Sequence, residues 1–314
     1  MSDQLSKYLF ADRTVRAQTV MLEDAWRAVQ AGHDYPPVIT SLLGELVAAS
    51  TLLSANLKFD GSLVLQLQGD GDVRLIVVEC RANLDLRATV KLREGCELPQ
   101  TGTLQSLLNS SGNGRFTVVL DPPRKQRGQQ PYQGVVPLVG DTVAEALEHY
   151  MAASEQLQTR LWLAADTQRS AGFLLQQLPR DGGHATPETA QHAGHEEDED
   201  TWTRALHLAG TLKGDELLQT PSATLVHRLF WQEDMLAFEP QSVRFHCPCS
   251  REKVADVLRL LGEPEVQEIL TEQGHVEVKC DYCTQTYTFD AVDCAEVFAS
   301  DAPVAIRHQS PNTH

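Results

Sequence analysis

The residues best suited to chemistry are four cysteines near the C-terminus: Cys247 and Cys249 in a CxC pair, and Cys280 and Cys283 in a CxxC pair. Two short-spaced thiol pairs brought together offer four thiolates to one metal ion. Four sulfurs suit tetrahedral zinc, with Zn–S distances of about 2.3 Å. One Zn2+ held by Cys247, Cys249, Cys280 and Cys283 is the expectation. Structural zinc ribbons generally use CxxC twice, so the CxC limb is a departure. Short pairs also keep each thiol within reach of its neighbour for oxidation, since bridged Cα atoms lie about 4.4–6.8 Å apart. Spacing alone leaves an inert clamp and a thiol switch evenly matched. The chain has seven cysteines, an odd count that favours metal or thiol chemistry over a disulfide scaffold. Cys80, closing an apolar strand, is expected to be buried, and Cys96, in REGCEL, to be loop-exposed. Cys294 could sit near the metal, but four ligands already fill a tetrahedral site.

The elements that position these thiols are readable around them. Ser250 is an N-cap for a helix over residues 251–261, with an apolar stripe of Val254, Val257, Leu258 and Leu261. Pro264 opens a second short helix reaching Leu270. HVEVKC alternates as a strand, CDYC turns, and YTFD returns as its partner. A module this small cannot rely on a hydrophobic core alone. Structural zinc contributes on the order of 10–16 kcal/mol coupled to folding. Oxidising the thiolates would remove the ligands, release the metal and unfold the module.

Upstream, the pattern is mixed. Residues 8–20 alternate around a turn at Asp12-Arg13, and an amphipathic helix spans residues 38–57. FDGSLVLQLQGDGDVRLIVVEC reads as a hairpin or meander, RATVKL, RFTVVL and YQGVVPLV as strands, and LWLAAD and AGFLLQQLP as two more. A second helix opens at Asp141-Thr142 and runs to about Ser154. Paired strands with inserted helices point to an α+β fold, with an N-terminal core domain over residues 1–180. Residues 181–240 form a linker region: first an acidic, apolar-poor loop carrying His184, His192 and His195, read as exposed histidines, then short helices over 202–231 interrupted by Gly210, Gly214 and Pro221. These helices are either part of the core or a marginal region able to come undone. A zinc-binding domain is expected over 241–296 and a flexible tail over 297–314.

Acidic residues outnumber basic ones, 43 to 26, for a net charge of −17, which argues against nucleic-acid binding. The N-terminus has no secretory h-region, and no stretch approaches the roughly 20 apolar residues of a membrane span, so a cytoplasmic protein is expected. GxxxxGK[ST], GxSxG and HExxH are all absent, and GDGD at 69–72 would repel phosphate. The CxxC follows a strand rather than opening a helix, which counts against a thiol-disulfide oxidoreductase. No enzyme is expected.

FHCPCSREKVADVL with VKCDYC resembles the redox-switch domain of the bacterial redox-regulated heat-shock chaperone family, the 33 kDa chaperonins. HDYPPVITSLLGELVAASTLLSANLKFDGSLVLQLQGDGDVRLIVVE, YQGVVPLVGDTVAEALEHYMAASEQLQTRLWL and FLLQQLP look like that family's N-terminal domain. The resemblance covers nearly the whole chain except residues 181–201 and the last residues. It implies an ATP-independent holdase, a zinc-bound inactive monomer when reduced. Peroxide or hypochlorite, with unfolding stress, would form the disulfides Cys247–Cys249 and Cys280–Cys283. Zinc would then leave, the switch domain and adjacent linker would unfold, and a homodimer would bind unfolded client proteins. A structural zinc-ribbon interaction module is the alternative, and an oxidoreductase the third. Two departures stand out: the acidic, His-rich 181–201 stretch, and Thr284 where the family commonly has glycine.

Overall fold

The computed structural model describes residues 2–57, 60–122, 131–179 and 195–299, with side chains in the last stretch from residue 201. The chain divides into two compact units, residues 1–246 and Cys247 onward. The first contains, in order, β1 (Gln4–Phe10), β2 (Val15–Leu22), α1 (Asp24–Gln30), α2 (Pro37–Ser54), β3 (Ser62–Gln68), β4 (Val73–Arg81), β5 (Asp85–Leu92), α3 (Leu104–Leu108), β6 (Arg115–Asp121), β7 (Tyr132–Pro137), α4 (Val143–Ala153), β8 (Thr159–Ala165) and β9 (Ser170–Gln177). It continues with α5 (His195–Ala209), α6 (Gly214–Gln219), α7 (Ser222–Phe230), β10 (Met235–Ala237), β11 (Gln241–Ser242) and β12 (Arg244–Phe245). The fold is α+β. One sheet runs β10-β1-β2-β9-β8, with β11 also on β1, and the other runs β12-β5-β4-β3-β6-β7. All pairings are antiparallel except β12 with β5.

Helix α2 lies between the two sheets, touching β2, β8 and β9 of one and β3, β4 and β5 of the other. It buries Leu42, Leu43, Leu46, Val47, Ala49 and Leu52. Its length and hydropathy would let it cross a membrane, but 72% of it is buried inside the protein. Gly44 allows the close approach, because a Cβ there would come 2.3 Å from the Ala165 Cβ. In β3 the alternation expected of a one-sided strand is seen, with Leu63, Leu65 and Leu67 buried towards this core. The other face of the first sheet presents Phe10, Val15, Ala17, Phe173 and Leu175, and α5, α6 and α7 cover it with Trp202, Leu217, Val226, Leu229 and Phe230. The interrupted helices at 202–231 are thus a packed layer. His184 and His192 fall outside the described residues, and His195 falls where no side chain is described.

Residues 241–246, expected at the start of the metal-binding segment, instead pair with the first unit. Val243 is buried, Arg244 is ion-paired to Asp85, and the His246 amide donates to the Leu86 carbonyl at 2.9 Å. The second unit comprises α8 (Arg251–Leu261), α9 (Glu263–Gln273), β13 (Val276–Lys279), β14 (Thr286–Phe289) and α10 (Ala291–Ala299), around a core of Val254, Leu258, Val266, Val276, Phe289 and Cys294. The stretch expected as a tail from residue 297 includes the end of α10, which buries Val297.

Glu45 on α2 shares a pocket with Thr142, Leu161, Leu163, Leu212 and Leu217, and burial pushes its carboxyl up to about 7, with Ser41 giving partial relief. A carboxyl whose folded pKa exceeds its unfolded value of 4.5 favours the folded state below that value, and the benefit is lost as pH rises through 7. Glu45→Gln is expected to raise unfolding stability at pH 8 by about 2–3 kcal/mol and to leave it unchanged near pH 4, as measured by urea denaturation.

Candidate metal centre

Two limbs build the centre. Cys247 and Cys249 flank Pro248, and Ser250 caps α8, its hydroxyl accepting from the Lys253 amide at 3.3 Å. Cys280 and Cys283 sit on the turn between β13 and β14. The Cys280 amide donates to the Gln285 carbonyl and the Thr284 amide to the Cys280 carbonyl, both at 2.9 Å. Arg251 joins the limbs: it donates to the Thr288 carbonyl at 2.7 Å, pairs with Asp293 at 2.8 Å and lies 4.1 Å from the centroid of the Phe289 ring.

The four Sγ atoms lie within 4.8 Å of one another, and each thiol is partly buried. Cys247 and Cys280 are 3.6 Å apart, Cys249 and Cys283 3.3 Å. Four sulfurs at about 2.3 Å from a shared ion would be about 3.8 Å apart, so the cluster fits a tetrahedral metal site. The electrostatics fit as well. Burial pushes the Cys247 and Cys283 thiols up against the opposing pull of backbone hydrogen bonds, and the Cys249 and Cys280 thiols add to the rise at both. Burial also opposes ionisation of Cys249, but hydrogen bonds from the Tyr287 hydroxyl, at 3.1 Å, and from the other thiols bring it below the ordinary thiol value. A divalent ion at the quartet would favour the ionised form of all four thiols.

All four cysteines expected as ligands are brought together. Cys294 is not among them: it is fully buried on α10, inside the second unit's core. Cys80 is also fully buried, and burial pushes its thiol up to about 12. Cys96 is partly exposed in the turn after β5. Sequence reasoning missed Tyr287 and Arg251. A tyrosine in a strand reads as core, and an arginine in a helix's first turn reads as solvated, so neither signalled a role at the sulfurs.

Thr284 has φ of 60°, in the left-handed region where a β-branched residue is strained by about 1–2 kcal/mol. Glycine would relieve that strain at some entropic cost in the unfolded chain. Thr284→Gly is expected to stabilise the reduced, metal-loaded second unit by up to about 1 kcal/mol, seen as a higher chelator concentration needed to unfold it.

A family model described as Hsp33 protein matches residues 3–290. A 33 kDa chaperonin of Methylobacillus flagellatus is 42% identical over 304 residues, spanning 96% of this chain and 96% of that one. The 33 kDa chaperonin of Chromobacterium violaceum is 42% identical, spanning 97% of each. Among solved structures, the 33 kDa chaperonin of Thermotoga maritima, a heat shock protein 33 homologue, superposes with a TM-score of 0.76 at 21% identity, over 95% of this chain and 98% of that one. That likeness concerns the fold, while the family match and the identities, held over almost the full length of each relative, place this chain in the Hsp33 protein family.

Proposed function

We propose that this protein is a redox-activated, ATP-independent holdase of the cytoplasm that binds unfolding proteins and keeps them from aggregating. The observation that carries the reading is the sulfur quartet, four thiols within 4.8 Å in a unit with only a small core. Cys247, Cys249, Cys280 and Cys283 would hold one Zn2+ in the reduced monomer, and the bound ion would supply the energy that the core lacks.

Oxidation then acts on the protein's own sulfurs. A thiolate attacks a peroxide oxygen, and the adjacent thiol displaces the resulting hydroxyl as water. Each pair gives two electrons to one peroxide, which leaves as two waters. The family resemblance implies the pairs Cys247–Cys249 and Cys280–Cys283. The shortest sulfur contacts run between the limbs, but a crosslink there would close a loop of 33 residues and stabilise the module by about 4 kcal/mol. Pairing within each limb leaves the limbs untied, as unfolding requires. Unfolding of α5, α6 and α7 then uncovers the apolar face of the first sheet, including Phe10, Phe173 and Leu175, for clients and for a second copy in the oxidised homodimer.

Treating zinc-loaded protein with peroxide under mild heat should release one zinc per chain, yield the two within-limb disulfides by peptide mass spectrometry, and suppress light scattering from an unfolding client. Zinc release with undiminished client aggregation would sink the holdase reading. Retained zinc would favour a structural zinc module, and turnover of a dithiol substrate an oxidoreductase.

The covering layer offers a separate handle. Phe230 packs edge-on against Phe10 at 5.3 Å and stacks on Phe173 at 6.1 Å between ring centroids. Phe230→Ala should cost the layer about 3–5 kcal/mol. The variant is expected to suppress client aggregation without oxidant while zinc remains bound, as measured by light scattering with metal analysis.

A further inference from the structure

A cavity of about 340 Å3 opens in the first unit beside the C-terminal ends of α2 and α4, remote in sequence from the sulfurs. That volume is within the range of small-molecule sites. Leu53, Leu63, Val118, Leu120, Met151 and Leu157 give it an apolar wall. Among the described residues one cation lines it, Arg16 of β2. The Arg16 guanidinium donates through Nη2 to the Gln176 side-chain oxygen, and its buried Nε has no hydrogen-bond partner. No carboxylate pairs with Arg16 among the described residues. Burial with no compensating anion draws its pKa down to about 10. Lys7 adds a second positive charge close by, its ammonium donating to the Ala55 carbonyl and lowered first by burial and then by Arg16. Among the described residues the acid on the cavity wall is Glu155, which accepts from the Tyr150 hydroxyl at 3.0 Å.

A partly buried cation pair without an anion is costly in any protein. It stands out in a chain of net charge −17, where carboxylates are plentiful and, among the described residues, none pairs with Arg16. We propose that this cavity binds a medium-chain aliphatic carboxylate, its head on the Arg16 guanidinium and its chain along the Leu63–Leu120–Met151 wall. The head supplies the missing counter-charge through charge-assisted hydrogen bonds, and the chain is removed from water. The site is distinct from the sulfur quartet and does not depend on the redox reading, so it is present in the reduced protein.

Calorimetric titration of the full-length, reduced, zinc-loaded protein tests this with octanoate, its neutral isostere octanamide, and propionate. Octanoate should bind once per chain, octanamide at least tenfold more weakly, and propionate without measurable heat. Arg16→Gln should bring octanoate down to the level of octanamide. Leu120→Trp, putting a larger side chain into the cavity wall, should abolish binding of both, with circular dichroism confirming the fold of each variant. Equal affinity for octanoate and octanamide in the unmodified protein would overturn the proposal whether or not either variant folds. So would an absence of octanoate binding, or a folded Leu120→Trp protein that binds octanoate as before.

Discussion

Four sulfurs held within 4.8 Å of one another cannot all ionise unless a cation compensates them, and the second unit is built around that requirement. Its core has few large side chains, and its strands β13 and β14 are four residues each. Such a unit depends on whatever holds the CxC limb to the CxxC limb. Arg251 contributes by reaching the Thr288 carbonyl, the Phe289 ring and Asp293. These contacts are surface-exposed in part and worth little individually. In the proposed function a cation bound by the sulfurs would carry the greater share, so chemistry that removes their charge would loosen the unit.

The first unit meets a different constraint. Its first sheet is apolar on both faces, one against α2 and the other against α5, α6 and α7. A sheet covered twice can be uncovered once without losing its inner core. The outer layer includes two short helices, α6 of six residues and α7 of nine, beside the longer α5. Helices of that length are marginal without the surface they rest on, so layer and sheet face are stable together or exposed together.

Much of this was visible in the chain. Ser250 as a cap, the stripe at Val254 and Leu258, and the HVEVKC alternation placed both cysteine limbs because each signal is local. The sheet strands with one exposed face were readable for the same reason, and β9 was readable as an apolar run because both its faces are buried. The two- and three-residue strands β10, β11 and β12 were not, since they are too short to show any period. Their existence depends on the edges of β1 and β5, far away in sequence. Thr284 could be seen as a departure from a common glycine, but its strain appears only in the backbone angle. The partnership of Tyr287 with Cys249 likewise needs the hairpin to be folded before the hydroxyl reaches the sulfur.

Cys80 is shielded from the thiol chemistry proposed for the quartet. Its sulfur is sealed beneath α2, where the Ser54 hydroxyl donates to its carbonyl, and its thiol is held near 12, so almost no thiolate exists there at neutral pH. Burial holds the Cys80 thiol protonated, whereas hydrogen bonds from Tyr287 and the neighbouring thiols bring Cys249 below the ordinary thiol value. Labelling of Cys80 records whether the sheets have parted from α2, independently of what has happened at the quartet. The chain carries its own internal gauge, separating local release from loss of the whole fold.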